Sequence, residues 1–216
     1  MAKIFQVSAR AGLTRVIEPV ARALLRRGVT PNAVTVTGTV GVLIGALGFG
    51  ARGYLVTGAI IVTFFALTDL LDGTMARMSG GSTKFGAFLD SSMDRVADGA
   101  VFGAVAFWLA SEGDQWGVAG ALVCLVAGGV VSYVKARAEG LGMTANVGIA
   151  ERTERLIIVG IGGILDGAGV PHALTVALWL LAAVSVFTVG QRMTHVYRQA
   201  AQQAQPAQPT ESSVDR

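Results

Sequence analysis

Four aspartates stand within a stretch of 26 residues, in "LTDLLDGTMARMSGGSTKFGAFLDSSMDR": Asp69, Asp72, Asp90 and Asp94. Asp69 and Asp72 are three apart, and Asp90 and Asp94 four apart. On a helix each spacing puts both side chains on one face. The glycine-rich "SGGST" between the pairs predicts a short turn, so two consecutive antiparallel helices present the pairs to each other. Carboxylate oxygens are hard ligands that suit Mg²⁺, Mn²⁺ or Ca²⁺. Four of them are enough for two ions, and two ions a few ångströms apart are a recurring device for displacement at phosphorus. A purely structural use, in which they pair with Arg77, Lys84 or Arg95, would need fewer carboxylates in register.

The elements that must carry this cluster are apolar. Of 216 residues 52% are hydrophobic and only 14% charged, with 29 glycines. Soluble domains carry about 25% charged residues. Several runs approach the roughly 20 residues needed to cross a bilayer. Six spans are predicted, at 33–51, 54–78, 85–110, 117–138, 154–170 and 173–197. The fold class is therefore all-α, an integral membrane bundle of six transmembrane helices. Small residues let such helices approach closely. Ahead of them, 8–27 has Leu13, Val16, Ile17, Val20 and Leu24 at helical spacing, with Arg15, Arg22 and Arg26 among them. That pattern predicts an amphipathic helix lying on the membrane surface. "GVTPN" ends it, with Pro31 opening the first span. The chain thus divides into a juxtamembrane segment 1–30, a bundle 31–199 and a polar tail 200–216 expected to be disordered.

Six spans put both termini on one side. Of the 17 basic residues, all but Arg52 lie on that side or at helix ends facing it, which makes it cytoplasmic. The basic surplus reports topology in a cell-membrane protein and does not point to nucleic acid. By helical rise, Asp69 is roughly 22 Å from the outer end of its span and Asp94 roughly 26 Å from its own. Both pairs then lie near the cytoplasmic surface. Intramembrane carboxylates also serve cation transporters and channels, which is the rival functional class. Clustering at one surface, without an evident inverted repeat, speaks against that rival.

The full spacing reads Asp69-x2-Asp72-Gly73-x2-Ala76-Arg77-x8-Gly86-x3-Asp90-x3-Asp94. It resembles, at every position, the signature of the CDP-alcohol phosphotransferase family. The resemblance implies an enzyme that transfers a phosphatidyl-type group from CDP-diacylglycerol to an alcohol and releases CMP, with Mg²⁺ or Mn²⁺ as cofactor. It implies that Asp69, Asp72 and Asp90 bind metal, and that Asp94 is the general base and touches metal as well. Gly73, Ala76 and Gly86 become nucleotide contacts, and Arg77 a phosphate contact. Asn32, in "TPNAVT", resembles a family position near the nucleotide, and Thr83 and Lys84 beside the turn are further candidates. A homodimer is also implied.

The acceptor depends on a second basic cluster. "SYVKARAEG" carries Lys135 and Arg137, "ERTERL" carries Arg152 and Arg155, and Arg192 lies near the inner end of the last span. Convergent guanidinium groups bind phosphate well, so these five suggest an acceptor that already carries phosphate. "SYVKARAE" followed by "ERTERLII", with the opening "ARAGLTRVIEPVARALLRRGVTPNAVT", resembles the actinobacterial branch of the family, whose acceptor is inositol 1-phosphate. The alternative is the branch that forms phosphatidylglycerophosphate from glycerol 3-phosphate. Cys124 is the single cysteine and is expected in the core, which excludes an internal disulfide. Glu151 and Glu154 are expected to pair with neighbouring arginines, while Asp98, one turn from Asp94, has no assigned role.

Overall fold

The computed structural model describes residues 17–204. Every regular element among them is helical. The expectations for 1–16, including Arg15 and the start of the surface helix, and for 205–216 of the tail lie outside the described residues.

Helix α1 spans 17–26. Its Ala21 is fully buried against Val34 and Met75, with Leu24 and Leu25 packed beside them, while Arg22 and Arg26 stay exposed. The apolar face thus centres on Ala21, Leu24 and Leu25, while Val20, expected on it, is 50% exposed. α2 (Pro31–Leu43) starts at Thr30, whose hydroxyl accepts from the Ala33 amide, and Pro31 fits the first turn because no helical partner awaits its nitrogen. α2 continues as a wider π segment, Ile44–Phe49, and a 3₁₀ turn, Gly50–Arg52. The widening accompanies a close crossing: a Cβ on Gly58 would lie 2.9 Å from the Gly50 nitrogen.

The second expected span is two helices, α3 (Leu55–Ala66) and α4 (Thr68–Met78). The break at Leu67 falls where a local bond and a contact with α2 coincide. Thr68 donates its hydroxyl to the Phe65 carbonyl at 2.5 Å, and it packs where a Cβ on Gly38 would sit. α5 (Lys84–Ser111), α6 (Gln115–Glu139), α7 (Arg152–Gly167) and α8 (Ala173–Ala204) follow. α8 runs past the expected end at 197 and carries the first tail residues, 200–204, in the helix.

Among the described residues, four segments are long and apolar enough to cross a membrane by length and composition: Pro31–Arg52, Leu55–Met78, Gln115–Glu139 and Ala173–Gln203. The other two rods fall short of that measure for visible reasons. α5 carries Lys84, Asp90, Asp94, Arg95 and Asp98, and α7 has only 16 residues. α6 packs on α5 and α8, and α7 packs on α3 and α8. The core joins Phe102, Leu109, Cys124, Leu174, Leu178 and Leu181. Phe64, Phe107, Val126 and Leu180 are more than half exposed, as side chains facing lipid are. α4 and α5 each pack on α2 and make little contact with each other. A cleft therefore separates the two helices that carry the aspartates.

Candidate active site

The cleft gathers charge from three helices. Asp69 and Asp72 come from α4, Asp90 and Asp94 from α5, and Arg152 enters from the first turn of α7. Arg152 Nη1 contacts Asp69 Oδ2 and lies 2.8 Å from Asp94 Oδ1; its Nε is 3.4 Å from Asp98 Oδ1. One guanidinium thus bridges both arms of the aspartate hairpin. Asp72 is buried and accepts from the Thr35 hydroxyl at 2.6 Å, which ties α4 to α2. Asp90 is exposed at the rim.

Asp98 has three cationic neighbours. Its Oδ2 lies 2.6 Å from Arg155 Nη2 and 3.8 Å from Arg95 Nη2, and its Oδ1 faces Arg152. Arg155 is 1% exposed, and its Nε has no partner among the described residues. It fits because α6 offers a glycine: a Cβ on Gly128 would lie 3.1 Å from Arg155 Nε. Arg95 also donates to the Ser132 hydroxyl. Buried charges are tolerated only when paired, and here the pairs join α5, α6 and α7 at one level.

The five basic residues of the expected acceptor pocket divide. Arg152 and Arg155 are engaged with aspartates. Arg192, 3% exposed, donates to the carbonyls of Val131 at 2.7 Å and Val147 at 2.8 Å, and lies 3.6 Å from Glu151. Lys135 is half-buried and Arg137 exposed, and neither has an acidic partner among the described residues. Of the two glutamates expected to pair, Glu151 does so with Arg192; no ion pair of Glu154 occurs among the described residues.

The nucleotide candidates sit around the open end of the cleft. Gly73 has space above it, since a Cβ there would meet only Arg77 Nη1, at 3.6 Å. Helix packing therefore does not explain that glycine. Gly86 lies beneath the α5 N-terminus, where a Cβ would come within 3.2 Å of Asn32 Oδ1 and 3.1 Å of Thr83 Oγ1. Thr83 caps α5 by accepting from the Gly86 amide, and Lys84 begins that helix, exposed. Arg77 donates to the Thr74 hydroxyl at 2.9 Å from an exposed position, and Ala76 is half-buried beside it.

Among the described residues no three carboxylates or histidines converge closely enough to cage an ion. The donor set nevertheless fits divalent metal. Asp69 and Asp94, from opposite arms, already turn toward one positive centre, the Arg152 guanidinium, and Asp72 and Asp90 add hard oxygens on the same two helices. A cavity of about 250 Å³ runs from Asp69 and Arg152 between α3, α5 and α7, and its walls are apolar apart from Thr63 and Thr153. Thr35, Asp98, Gly128 and Ser132 hold the site together without being marked by the motif. Only Asp98 carried a signal, its position one turn from Asp94.

A helical membrane bundle with a carboxylate cleft at one end and an apolar pocket below it defines a lipid-handling transferase. The family model for CDP-alcohol phosphatidyltransferase matches residues 28–191, and the chain belongs to that family. It is 51% identical over 197 residues to the phosphatidylinositol phosphate synthase of Mycobacterium marinum, covering 87% of this chain and 82% of that one. It is 50% identical over 183 residues to the enzyme of the same name from Corynebacterium glutamicum, covering 82% of each. The crystal structure of Mycobacterium tuberculosis phosphatidylinositol phosphate synthase with CDP-DAG bound matches with a TM-score of 0.81 at 44% identity, covering 94% of this chain and 98% of that one. The same enzyme in complex with manganese and citrate matches with a TM-score of 0.80 at 44% identity, covering 93% and 92%.

Proposed function

We propose that this protein is a phosphatidylinositol phosphate synthase, transferring the phosphatidyl group of CDP-diacylglycerol to a hydroxyl of inositol 1-phosphate with release of CMP. The carrying observation is the cleft in which Asp69 and Asp94, on separate helices, converge on one cation. Similarity to synthases of that name supports the choice of acceptor. The rival transporter reading has no such support.

Asp69, Asp72, Asp90 and Asp94 would hold two divalent ions, Mg²⁺ or Mn²⁺. Bound metal supplies charge neutralisation of the diphosphate and of departing CMP. The remaining work falls to the chain. Gly73 leaves room for the nucleotide beside Ala76, and Gly86 lets Asn32 and Thr83 stand close to the same opening. Arg77 and Lys84, exposed at the rim, meet phosphate oxygens, with Thr83 setting the helix end between them. Asp94 accepts the proton of the attacking hydroxyl; for a carboxylate this rests on proximity rather than on high basicity. Lys135 and Arg137 meet the acceptor's phosphate first, with Arg152, Arg155 and Arg192 forming the floor behind them. The apolar cavity takes an acyl chain of the lipid. The cleft opens to the cytoplasm, because the basic residues gather at that end. Two copies form a homodimer, as the family resemblance implies.

Purified protein with Mn²⁺ and CDP-diacylglycerol is expected to release CMP when inositol 1-phosphate is added. Release only with glycerol 3-phosphate would make it the phosphatidylglycerophosphate-forming enzyme instead. Silence with both acceptors would defeat the proposal.

A further inference from the structure

The glycines of α7 are of two kinds. Gly162 is a packing residue: a Cβ there would come within 2.6 Å of Ala177 Cβ on α8. Gly160 and Gly163 are not, because a Cβ on either would meet no neighbouring atom within 4 Å. Gly163 is nonetheless buried. A buried position with open space above it faces a cavity, and both glycines line the pocket that begins at Asp69 and Arg152. Alanine would fit both places and favour the helix, so neither packing nor local backbone preference accounts for glycine there.

The pocket has a direction. Its cytoplasmic end opens sideways to lipid between Leu67, Leu70 and Ile157, which are 54%, 41% and 53% exposed. Its deep end is closed by Leu55, Val105 and Leu174, which are 6%, 9% and 1% exposed. Along α7, Gly160 lies roughly 12 Å from Arg152 and Gly163 roughly 16 Å. One leaflet of hydrocarbon is about 15 Å deep, half of the bilayer core. Gly160 therefore stands beside the last part of a chain that starts at the carboxylates, and Gly163 beside its end.

We propose that Gly160 and Gly163 are specificity determinants that set the acyl-chain length accepted by the enzyme, by leaving room along one wall of a blind pocket. The inference rests on the transferase reading above. A side chain at either position shortens the pocket from its deep end, so long chains are rejected while short ones still reach the carboxylates.

The test compares CMP release from dioleoyl and dioctanoyl CDP-diacylglycerol, with Mn²⁺ and inositol 1-phosphate, by the full chain in detergent. Gly160→Leu and Gly163→Leu are expected to lower kcat/KM for the dioleoyl lipid by about tenfold or more relative to the dioctanoyl one. The effect is expected to be larger at Gly160. Gly129→Leu is the control: it too meets no neighbour within 4 Å, but it is exposed on α6 and away from the pocket. It is expected to leave the ratio unchanged. If the leucine variants do not fold, Gly163→Ala is expected to keep the melting temperature and lower the ratio by about threefold. An unchanged ratio in folded pocket variants, or an equal shift in Gly129→Leu, overturns this inference alone. No CMP release by the unmodified protein from either lipid overturns the functional reading and this inference with it.

Discussion

Arg152 Nη1 lies 2.8 Å from Asp94 Oδ1, and the same nitrogen contacts Asp69. The residue assigned to proton transfer and the residue expected to meet acceptor phosphate are thus direct partners. A cation from α7 offsets the repulsion between carboxylates that face each other across the cleft.

On the proposed reading, Arg152 and divalent metal would compete for the same oxygens. Arg152→Gln is expected to tighten Mn²⁺ binding several-fold, read by titration with paramagnetic resonance detection. Without metal the variant is expected to melt at lower temperature. Unchanged Mn²⁺ affinity together with a raised acceptor KM would assign Arg152 to acceptor binding alone.

Asp94→Asn keeps the shape of the site and removes the proposed proton acceptor. Turnover is expected to fall by about 10²–10⁴-fold, the usual contribution of general base catalysis. Binding of CDP-diacylglycerol, followed by thermal shift, is expected to persist. Loss of that binding would show that Asp94 is needed for lipid capture rather than for the proton.

The Asp98–Arg155 pair is buried on both sides, with side chains 9% and 1% exposed. Arg155→Met leaves a carboxylate with fewer partners, and breaking such a pair costs about 3–5 kcal/mol. The double variant Asp98→Leu/Arg155→Met is expected to recover most of the melting temperature and none of the activity. Recovery of both would mean that the pair contributes nothing to the site.

Thr35→Val removes the donor to Asp72 at nearly constant volume. A lost buried bond to a charged group costs about 1–3 kcal/mol, so a lower melting temperature is expected. Mn²⁺ affinity is expected to change as well, because Asp72 is freed to turn. A lower melting temperature with unaltered Mn²⁺ affinity would make Thr35 a tie between α2 and α4 and nothing more.

At the opposite end of the bundle, Asp114 joins α6 to α8. It accepts from the Gly117 amide at 2.8 Å and from the Thr175 hydroxyl. Those bonds, the one from Thr175 foremost, hold its carboxyl below the ordinary carboxylate range, with His172 adding to the effect. A group lowered on folding stabilises the fold above its unfolded pKa and loses that contribution as pH falls through the folded value. Asp114→Asn is therefore expected to lower the melting temperature at neutral pH. The difference is expected to begin shrinking below about pH 4, near the unfolded aspartate value, and to vanish only once pH falls below the lowered folded value. A difference that persists in acid would contradict an ionic role.

Much of the site was legible because helical registers are local. Spacings of three and four residues fix which side chains share a face, so the two carboxylate pairs could be read from "DLLD" and "DSSMD" alone. The kink at Leu67 was not legible. It depends on Thr68 meeting Gly38, thirty positions away, and a hydropathy run passes over it without interruption. The arginines show the same limit from the other side. Their number and placement raised the expectation of a cytoplasmic end to the bundle, but whether each guanidinium faces solvent, a carboxylate or a carbonyl depends on which helix lies opposite.

By itself the sequence determined an all-helical membrane chain and the eight-position motif of its family, with metal binding as the expectation that motif raises. These follow from composition and from repeats shorter than two helical turns. Tertiary structure decided what stands between the aspartates. It brought Arg152 to Asp69 across 83 positions, made Asp98 the partner of Arg155 and left open space over Gly160 and Gly163. Such relations arise from how α4, α5 and α7 pack around α2 and α8, and no short-range pattern encodes a distance between helices.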